Sequence, residues 1–384
     1  MLRVEPIQIE QFQAGKWVEL YQYKSFSPIF INRQWLFSDP DLQTLLTDAS
    51  RYLGELNAFS YQIPDIDFFI RMHVTKEAVT SSRIEGTQTK IEEAFLKEED
   101  INPEKRNDWK EVQNYIEAMN SAILSLVTLP LSNRLICNTH KILLTSARGE
   151  YRQPGEFRKS QNWIGGASLK DAIFIPPAQN EVQELMSDLE KFLNNDQIKI
   201  PELLRIAIAH YQFETIHPFL DGNGRVGRLL ITLHLVSKKL LERPALYLSD
   251  FFDRNKTLYY DNLMRVRLKN DMLQWLKFFL VGVIETAQRS IYTFQSIIAL
   301  KETCEQDIIR KLGRKARKGL ALMELLYRKP LVTAPEVSEW LRVSPPTANS
   351  LIQDLCKLNI LNELTGYKRN RIFAFVIYLE IFKI

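Results

Sequence analysis

Cysteine is scarce in this chain, and the few cysteines that occur stand apart. Cys137, Cys304 and Cys356 are odd in number and widely separated within 384 residues. This pattern suggests neither a disulfide framework nor a cysteine-based zinc site. It fits a protein that is kept in a reducing compartment.

Long hydrophobic runs are missing as well. The longest apolar block, FFLVGVI at 278–284, is far shorter than the about 20 residues that cross a bilayer as a helix. The first residues, MLRVEPIQIEQFQ, lack the apolar core of a signal peptide. We therefore expect a cytoplasmic protein that does not enter a membrane.

The chain also lacks a strong excess of either charge. Its 50 basic and 46 acidic residues leave a net charge of +4, which gives no global electrostatic argument for nucleic-acid binding. Hydrophobic residues make up 45% and charged residues 25% of the chain, as is ordinary for a soluble globular protein. The length predicts two or three domains.

Helical periodicity is abundant, whereas strand-like patterns are scarce. Apolar residues recur at three- and four-residue spacing, which predicts helices at 41–58, 65–85, 107–128, 182–194, 202–213, 225–241, 258–269 and 271–298. In GEFRKSQNWIGGASLKDAIFIPP, at 155–177, two short extended runs flank a glycine-containing turn. This stretch predicts either a small β-hairpin or a surface excursion between helices.

The C-terminal segment has a different pattern. Residues 310–318, RKLGRKARK, carry six basic side chains in nine positions. Helical patterns follow in LALMELLYRKP, APEVSEWLRV and TANSLIQDLCKLNIL, and then two β-like runs in LNEL and RIFAFVIYLEIF. Three helices followed by a hairpin is the order of a winged helix-turn-helix domain. We predict domains at 1–100, 101–300 and 310–384.

One stretch, HPFLDGNGRVGR at 217–228, combines a histidine, an acid, three glycines and two arginines. The following segment, RLLITLHLVSKKLL, is apolar on nearly every face until its lysines, which predicts a helix buried at the centre of its domain. The N-terminus of such a helix offers unpaired N–H groups and the positive end of the helix dipole. Because Gly222 and Gly224 allow close backbone approach, the stretch predicts an anion site.

The charged side chains of the stretch 217–228 indicate which kind of anion it would bind. Arg225 and Arg228 lie three residues apart, so they can clamp different phosphates of one polyphosphate. Asp221 is a poor neighbour for phosphate unless a cation lies between them, which implies Mg²⁺, and His217 is suited to accept a proton from an attacking hydroxyl. Each feature alone has a plainer interpretation: a structural histidine, a simple turn, or salt-bridged arginines. A zinc site is disfavoured, since no further histidine or cysteine is near in sequence.

The same stretch resembles the signature motif of the Fic family. The motif's His, Phe, Asp or Glu, Gly-Asn-Gly-Arg and final Arg all occur in order and at the right spacing. SSRIEGT at 81–87, within EAVTSSRIEGT, resembles the family's inhibitory motif, and PGEFRKSQNWIGG with IFIPP resembles its target-docking flap. The resemblance covers about 1–300. It implies a mainly α fold: a Fic-type helical core with a small β-hairpin flap, plus a C-terminal winged helix-turn-helix.

The resemblance implies a protein adenylyltransferase that transfers AMP from ATP, with Mg²⁺, to a Ser, Thr or Tyr hydroxyl of a protein, itself included. His217 would be the general base, Asp221 would hold the Mg²⁺, and Phe219 would anchor the loop. Tyr260, in LYYDNL, would contact the nucleoside, although a buried core tyrosine is an equally good interpretation. The implied ATP-binding residues are Asp221, Gly222, Asn223, Gly224, Arg225, Val226, Gly227, Arg228 and Tyr260.

A second set of residues concerns restraint of the activity. Ser81 and Glu85 have i, i+4 spacing, which places both on one helix face, and Gly86 is a residue that commonly ends a helix. Glu85 would then lie in the last turn, where the dipole disfavours a carboxylate by roughly 0.3–1 kcal/mol. It is therefore either a solvated surface residue or one with a cationic partner. The resemblance makes that partner Arg228 and gives Ser81, Glu85 and Gly86 an inhibitory role.

Two other functions stay open. One is a Fic enzyme of another reaction, such as transfer of another nucleotide or removal of AMP (de-AMPylation). Kinase-type relatives depart from Gly-Asn-Gly-Arg, which this chain keeps. The other is a DNA-binding regulator that contacts DNA through 310–384 and uses the Fic part as a nucleotide sensor. Its predicted recognition helix, TANSLIQDLCKLN, offers Lys357 but also Asp354. A homodimer is compatible with the sequence.

Overall fold

The computed structural model describes residues 6–62, 66–145, 152–366 and 370–383. Helices dominate these ranges, which confirms the mainly α fold class with a helical core and small sheets. The α-helices are α1 Pro40–Gln62, α2 Ile66–Ile84, α3 Arg106–Ser125, α4 Asn133–Leu143, α5 Val182–Asn194, α6 Glu202–Ile216, α7 Asn223–Ser237, α8 Ser249–Arg254, α9 Lys256–Lys269, α10 Met272–Leu312, α11 Ala316–Arg328, α12 Ala334–Leu341, α13 Pro345–Lys357 and α14 Val376–Ile381. The strands are β1 Ile7–Gln8, β2 Gly15–Glu19, β3 Lys24–Pro28, β4 Trp35–Leu36, β5 Leu331–Thr333, β6 Asn362–Glu363 and β7 Ile372–Ala374.

Helices α6 and α7 form the centre of the core. Every residue from Leu203 to Ile216 in α6 is buried, and so are nearly all residues of α7 up to Leu235. A helix that is apolar on all sides must be surrounded by protein, and α3, α4, α5 and α10 pack around this pair. The short connection between α6 and α7 is therefore held at both ends by buried helices.

Helix α10 is longer than the sequence pattern predicts. It runs from Met272 to Leu312, about 60 Å at the rise of an α-helix, and packs against α1, α6, α9 and α11. The predicted helix at 271–298 is its first part, and the predicted gap at 301–309 between domains lies inside it. Within the described ranges, no helix is both long and apolar enough to cross a membrane.

The sequence-based prediction did not include helices α4 and α8 or the N-terminal strands β1 to β4. Helix α4 has a buried face of Leu135, Ile136 and Leu143 with Thr139 and His140, and the prediction missed this pattern. The antiparallel pair β2–β3 is rich in polar and charged residues. In strands of this kind, tertiary contacts decide the structure more than propensity does.

The predicted hairpin at 155–177 is present in a minimal form. Ile164 and Phe174 form an antiparallel bridge, with the Ile164 N–H donating to the Phe174 carbonyl at 2.8 Å and the reverse bond at 3.1 Å. The N–H of Phe26 in β3 donates to the carbonyl of Ile175 at 3.0 Å. The N-terminal strands therefore support this hairpin from one side.

The C-terminal part contains three helices, α11 to α13, followed by the β6–β7 hairpin. Strand β5 pairs with β7 on the other edge, so that the antiparallel sheet has the order β5-β7-β6. Helix α12 begins with a capping box between Thr333 and Glu336. The predicted order of elements is thus observed, whereas the winged helix-turn-helix assignment itself stays a prediction.

The last β-like run, RIFAFVIYLEIF, is predicted wrongly in part. Only Ile372–Ala374 is a strand, and Val376–Ile381 forms α14 instead. Tertiary contacts explain the difference, because α14 packs on α10 and the Phe382 ring lies against His73 of α2 with 5.3 Å between ring centroids. Short apolar runs do not distinguish strand from helix by periodicity alone.

Candidate active site

The loop between α6 and α7 has a defined backbone conformation. His217 ends α6 in the left-handed region with φ of 50°, and its N–H donates to the Phe213 carbonyl at 2.9 Å. Gly222 directly precedes α7 as its N-cap with φ of 74°, a value that favours glycine. Two left-handed residues thus turn the chain sharply from one buried helix into the next.

Asn223 closes this loop on itself. Its Oδ1 accepts a hydrogen bond from the Phe219 N–H at 2.8 Å, and its Nδ2 donates to the Phe219 carbonyl at 2.8 Å. The Phe219 side chain is fully buried and stacks on the ring of His140, with 3.7 Å between centroids. Backbone and side chain of Phe219 are therefore both fixed.

His140, on α4, contacts the loop, and no pattern in the sequence pointed to this contact. The Gly155 N–H donates to His140 Nδ1 at 2.9 Å. The ring proton must then sit on Nε2, which donates to the Asp221 carbonyl at 3.0 Å. Burial lowers the pKa of His140 to about 4, so the neutral form that this bonding requires is the stable one at neutral pH.

Two further residues tie the hairpin to the loop. Buried Arg158 donates from Nε to the His217 carbonyl at 3.0 Å and from Nη2 to the Pro177 carbonyl at 2.6 Å. Asn162 donates to the Phe219 carbonyl at 2.9 Å. Both lie in the stretch that resembles the flap, but the sequence analysis did not single out either residue.

The imidazole of His217 is neutral and lacks a hydrogen bond at one nitrogen. Burial lowers its pKa to about 3, and the charges of Arg267 and Arg158 act in the same direction, whereas Glu85 opposes them. Its buried Nδ1 has no hydrogen-bond partner among the residues that the structure describes. A neutral, unpartnered imidazole can accept a proton.

Asp221 and Arg225 flank the start of α7. The Asp221 carboxylate accepts the Gly222 N–H at 2.6 Å and is 47% exposed, so a cation can reach it. The Arg225 guanidinium is nearly buried and lies 3.0 Å from Glu111 and 3.7 Å from Asp221. No cluster of three or more metal-ligating side chains occurs within the described ranges. One carboxylate nevertheless suffices for Mg²⁺ when phosphates supply further oxygens.

The first turn of α7 supplies backbone donors. The N–H of Val226 is used within the helix, because it donates to the Gly222 carbonyl at 3.0 Å. The amides of Asn223, Gly224 and Arg225 precede it and have no intrahelical acceptor. The amides without an intrahelical acceptor thus end before Val226 and Gly227, and Val226 is itself a buried apolar residue. The ATP contacts of Val226 and Gly227 stay a prediction.

Arg228, the last residue of the motif, is the most enclosed charge of the site. Its side chain is 1% exposed. It donates from Nε to Ser81 Oγ at 2.9 Å, and from Nη2 to the Ser81 carbonyl at 2.9 Å and to Glu85 Oε1 at 2.7 Å. Two of the three residues of the predicted inhibitory set therefore contact this arginine directly.

The carboxylate of Glu85 also covers the start of α7. A Cβ at Gly224 would lie 2.3 Å from Glu85 Oε1, so a larger residue there would displace the carboxylate. Burial raises the pKa of Glu85, but the charge and hydrogen bond of Arg228 outweigh this and hold the pKa below its usual value. The ionised carboxylate thus occupies the space in front of the helix N-terminus.

The end of α2 differs slightly from the prediction. The helix ends at Ile84, so Glu85 lies just beyond it rather than in its last turn. The N–H groups of Glu85 and Gly86 donate to the carbonyls of Ser82 and Arg83 at 3.0 Å, which forms a tight turn, and Gly86 has φ of 108°. Lys256 donates to the Ile84 carbonyl at 2.7 Å and satisfies the helix end.

Tyr260 lies on α9, where the charges of Glu85 and Arg228 act on it. It is 38% exposed, and the fully buried residue of the two adjacent tyrosines is Tyr259. Burial raises the pKa of Tyr260 to about 12, and Glu85 contributes to the rise. A partly exposed ring beside Glu85 is available to a ligand, and its nucleoside contact stays a prediction.

Glu214 and His210 are buried polar residues that the sequence analysis missed. Burial raises the pKa of Glu214 to about 7, and its Oε1 would lie 2.1 Å from a Cβ at Gly227. The His210 Nδ1–H donates to the Gly227 carbonyl at 2.9 Å, so His210 Nε2 accepts from the hydroxyl of Tyr259. Gly227 therefore serves packing and helix position.

Comparison with known proteins agrees with this geometry. Residues 43–124 match the family model described as Fic/DOC family N-terminal, and residues 130–235 match the model described as Fic/DOC family. These two matched ranges contain the end of α2 and the loop between α6 and α7, so both parts of the candidate site lie in stretches that are similar to Fic/DOC family proteins.

Curated relatives match over a shorter stretch. The chain is 40% identical over 83 residues to the protein adenylyltransferase Fic of Drosophila erecta, and 42% identical over 83 residues to that of Culex quinquefasciatus. Each match covers 21% of this chain and 15% of the relative. The chain thus matches only a small part of these relatives' length.

Two solved structures share the fold. A Fic family protein from Desulfovibrio desulfuricans superposes with a TM-score of 0.57 at 19% identity and covers 88% of this chain and 96% of its own. A Fic domain containing signaling protein from Bacteroides thetaiotaomicron has a TM-score of 0.51 at 18% identity, with 66% of this chain and 97% of its own covered. At these identities the likeness concerns the fold.

Proposed function

We propose that this protein is an adenylyltransferase that transfers AMP from ATP to a Ser, Thr or Tyr hydroxyl of a protein, itself included, and that Glu85 restrains it. The observation that carries the proposal is the neutral, unpartnered imidazole of His217 at one end of a rigid loop, with the free amides of α7 at the other. The curated relatives are named as protein adenylyltransferases, which agrees with this reaction.

The proposed reaction is an in-line displacement at the α-phosphorus of ATP. The target hydroxyl oxygen forms a bond to this phosphorus, and the bond to the bridging oxygen breaks, so that pyrophosphate leaves. The hydroxyl proton passes to the ring of His217, which is neutral and so can take it. Alignment and charge neutralisation carry most of the rate enhancement in such a reaction.

The residues of the loop and of α7 bind the phosphates. The amides of Asn223, Gly224 and Arg225 face the anion at the positive end of the helix. Asp221 would hold Mg²⁺, which supplies positive charge to neutralise the phosphate oxygens when bound. Arg228 would clamp the far phosphates once it is released from Glu85.

The hairpin at 155–177 fits a role in holding the target. Backbone hydrogen bonds of Ile164 with Ile173 and Phe174 join its two arms, and β3 bonds to one side of it through Phe26. An extended target segment could add to the other side through backbone hydrogen bonds. Arg158 and Asn162 connect its base to the loop that carries His217. A segment bound there would lie close to the proposed base.

The reaction is tested with ATP that is labelled at either the α- or the γ-phosphate. We expect incubation of the protein with Mg²⁺ and a candidate target to leave the α label, and no γ label, on protein. Retention of the γ label alone would mean phosphoryl transfer instead. Retention of neither label in a variant that lacks the Glu85 carboxylate would overturn the transferase proposal.

A second expected result concerns the metal. Replacing Asp221 with alanine should lower Mg²⁺-dependent AMP incorporation by at least about tenfold to a hundredfold, the range found when groups that support a metal site are removed. Initial rates over a Mg²⁺ titration measure this effect. The matched control is Asp196→Ala, which removes an aspartate with an 85% exposed side chain outside the loop. Unchanged rates in Asp221→Ala would show that another group holds the metal.

A third expected result concerns pH. Since burial lowers the pKa of His217 to about 3, the base is already deprotonated at mildly acidic pH. The apparent second-order rate constant for self-modification by a Glu85→Gly variant, measured at ATP concentrations well below saturation, reports groups of the free protein and should therefore stay level between about pH 5.5 and 8. Glu85 raises the pKa of His217. Its removal therefore lowers this pKa further, and His217 stays deprotonated in the Glu85→Gly variant. A loss of rate on acidification with a midpoint near the ordinary histidine pKa of about 6.5 would contradict this assignment.

A further inference from the structure

A cleft of about 670 Å³ lies on the side of α2 away from the candidate active site. Helix α2 contributes Lys76, Thr80 and Arg83 to its walls, and the segment after α2 contributes Thr89. The end of the chain closes it with Phe382 and Lys383. A volume of this size is typical of small-molecule sites.

A narrow extension of about 40 Å³ continues the cleft inward. It shares Lys76, Thr80, Asp250 and Phe382 with the larger space, and it adds Arg289 and Thr286 from α10. The extension has room for little more than one water molecule or the tip of a ligand. Cleft and extension thus form one site bounded by α2, α8, α10 and the C-terminal residues.

Positive charge outnumbers negative charge in this site. The cleft is lined by Lys76, Arg83, Lys90, Lys383, Glu92 and Asp250, that is, by four basic and two acidic residues, and the extension adds Arg289 and Glu77, a carboxyl whose pKa burial raises. Lys383 pairs with Glu92 at 2.7 Å and Arg83 with Asp253 at 2.8 Å. Asp250 lies within ion-pair distance of three cations: Lys76 at 3.9 Å, Arg289 at 3.4 Å and Arg254 at 3.2 Å. The Lys76 ammonium is too far from Asp250 for a hydrogen bond.

The charged groups around Lys76 change the pKa of its ammonium group. Burial lowers the pKa of Lys76, Asp250 raises it, and the neighbouring charges of Arg289, Arg254 and Arg83 lower it further. A partly buried ammonium among three guanidinium groups is relieved by a nearby anion. The environment of Lys76 therefore favours binding of a negatively charged group.

Unpartnered polar atoms face the same site. Thr89 Oγ1 lines the cleft, and Thr286 Oγ1 and His73 Nε2 line the extension. Thr89, Thr286 and His73 are 5%, 7% and 6% exposed, and these atoms have no hydrogen-bond partner within the described part of the protein. Buried polar atoms are nearly always satisfied in folded proteins, so these three are available to a bound molecule.

We propose that this cleft binds a small molecule that carries a phosphate group, with the phosphate in the cleft against Lys76 and one of its oxygens directed to Arg289 at the mouth of the extension. The rest of the molecule lies against the apolar wall of Val79, Ile91 and Phe382. The hydroxyls of Thr89 and Thr286 provide further hydrogen bonds. A phosphate matches the site because it accepts several hydrogen bonds and carries more charge than a carboxylate. The ligand contacts the helix whose other side presents Ser81 to Arg228.

Binding of inorganic phosphate, measured by calorimetry at constant ionic strength, tests the site without reference to any transferase activity. We expect wild-type protein to bind phosphate, and Lys76→Met and Arg289→Met each to weaken this binding at least tenfold. Thr89→Val, a change of similar volume, should weaken it by a smaller factor. Each variant is first shown by its thermal unfolding to be folded.

Two matched variants separate this site from other sources of binding. Lys301→Met removes a partly exposed lysine elsewhere on α10, and Arg225→Met removes the arginine of the candidate active site; both should bind phosphate at the cleft as wild type does. Absence of phosphate binding in wild type would overturn the proposal. So would binding that Arg225→Met alone abolishes, or binding that is equal in all variants.

Discussion

Replacing Glu85 with glycine should raise AMP incorporation by roughly tenfold to a hundredfold, the equivalent of one charge-assisted hydrogen bond of about 1.5–3 kcal/mol. In the wild type, Arg228 is held by Glu85 Oε1 at 2.7 Å and by Ser81, and the carboxylate lies over Gly224. Removal of the carboxylate frees the guanidinium for a phosphate and removes a negative charge from the phosphate site. We therefore expect low basal incorporation in the wild type and strong self-modification in Glu85→Gly.

The physical reason concerns alignment more than affinity. ATP can enter the site with Glu85 present, but its far phosphates cannot engage Arg228, so the α-phosphorus is displaced from the line of attack. We expect the variant to gain mainly in the rate constant at saturating ATP and less in apparent ATP affinity. Incorporation by equal concentrations of both proteins measures this difference.

Two matched substitutions isolate the carboxylate. Glu85→Ala removes it without the backbone freedom of glycine, and Glu85→Gln keeps its size without its charge. Activity should rise in all three variants and most in those that lack the side chain. A folded Glu85→Gly protein whose incorporation equals that of the wild type would refute restraint by Glu85 and leave the transferase proposal intact.

Replacing His217 with alanine should have the opposite effect and lower transfer by about 10²–10⁴-fold, the usual contribution of a general base. The measurement is made in a Glu85→Gly background, where the rate is high enough to follow. His217 contacts its surroundings through its backbone, which accepts hydrogen bonds from Arg158 and Asn162. The side-chain change should therefore leave the loop in place.

Binding of ATP with Mg²⁺ by the His217→Ala variant separates catalysis from affinity. We expect a dissociation constant within about threefold of the parent, since the amides of α7 and the arginines hold the phosphates. His217→Asn, which keeps a planar polar side chain, is the matched control and should be equally inactive. Loss of ATP binding in a folded variant, or retained transfer, would contradict the role of His217 as the base.

The contact between Glu85 and Arg228 shows what the sequence can predict. The i, i+4 spacing of Ser81 and Glu85 indicated a shared helix face, but only the family resemblance pointed to a partner 143 positions away. The structure brings the three side chains together at 2.7–2.9 Å. Long-range pairing of this kind is not contained in local periodicity, which is why a motif of known spacing was needed.

His140 and Arg158 show what could not be predicted. Each acts on backbone carbonyls of the loop from a distant segment, His140 on Asp221 and Arg158 on His217. Backbone atoms occur at every position, so such contacts leave no residue pattern in the sequence. Support of the hairpin by β3 through Phe26 is of the same kind.

In the C-terminal part, the order of three helices and a hairpin was predicted correctly, whereas the last segment was predicted as a strand and is a helix. The apolar residues of 376–381 gave a strand-like run, yet α14 packs them on α10. In the basic run, Lys315 pairs with Asp354 of α13 at 2.6 Å, so part of its charge is neutralised within the protein. DNA binding, a homodimer and a cytoplasmic location stay predictions.

Adenylyl transfer that depends on His217 is tested by the intact mass of two proteins after incubation with ATP and Mg²⁺. These are Glu85→Gly and the double variant Glu85→Gly, His217→Ala. We expect that the single variant gains the mass of one or more adenylyl groups while the double variant gains none. A gain of phosphoryl mass, no gain in a folded single variant, or an equal adenylyl gain in the double variant would contradict this expectation.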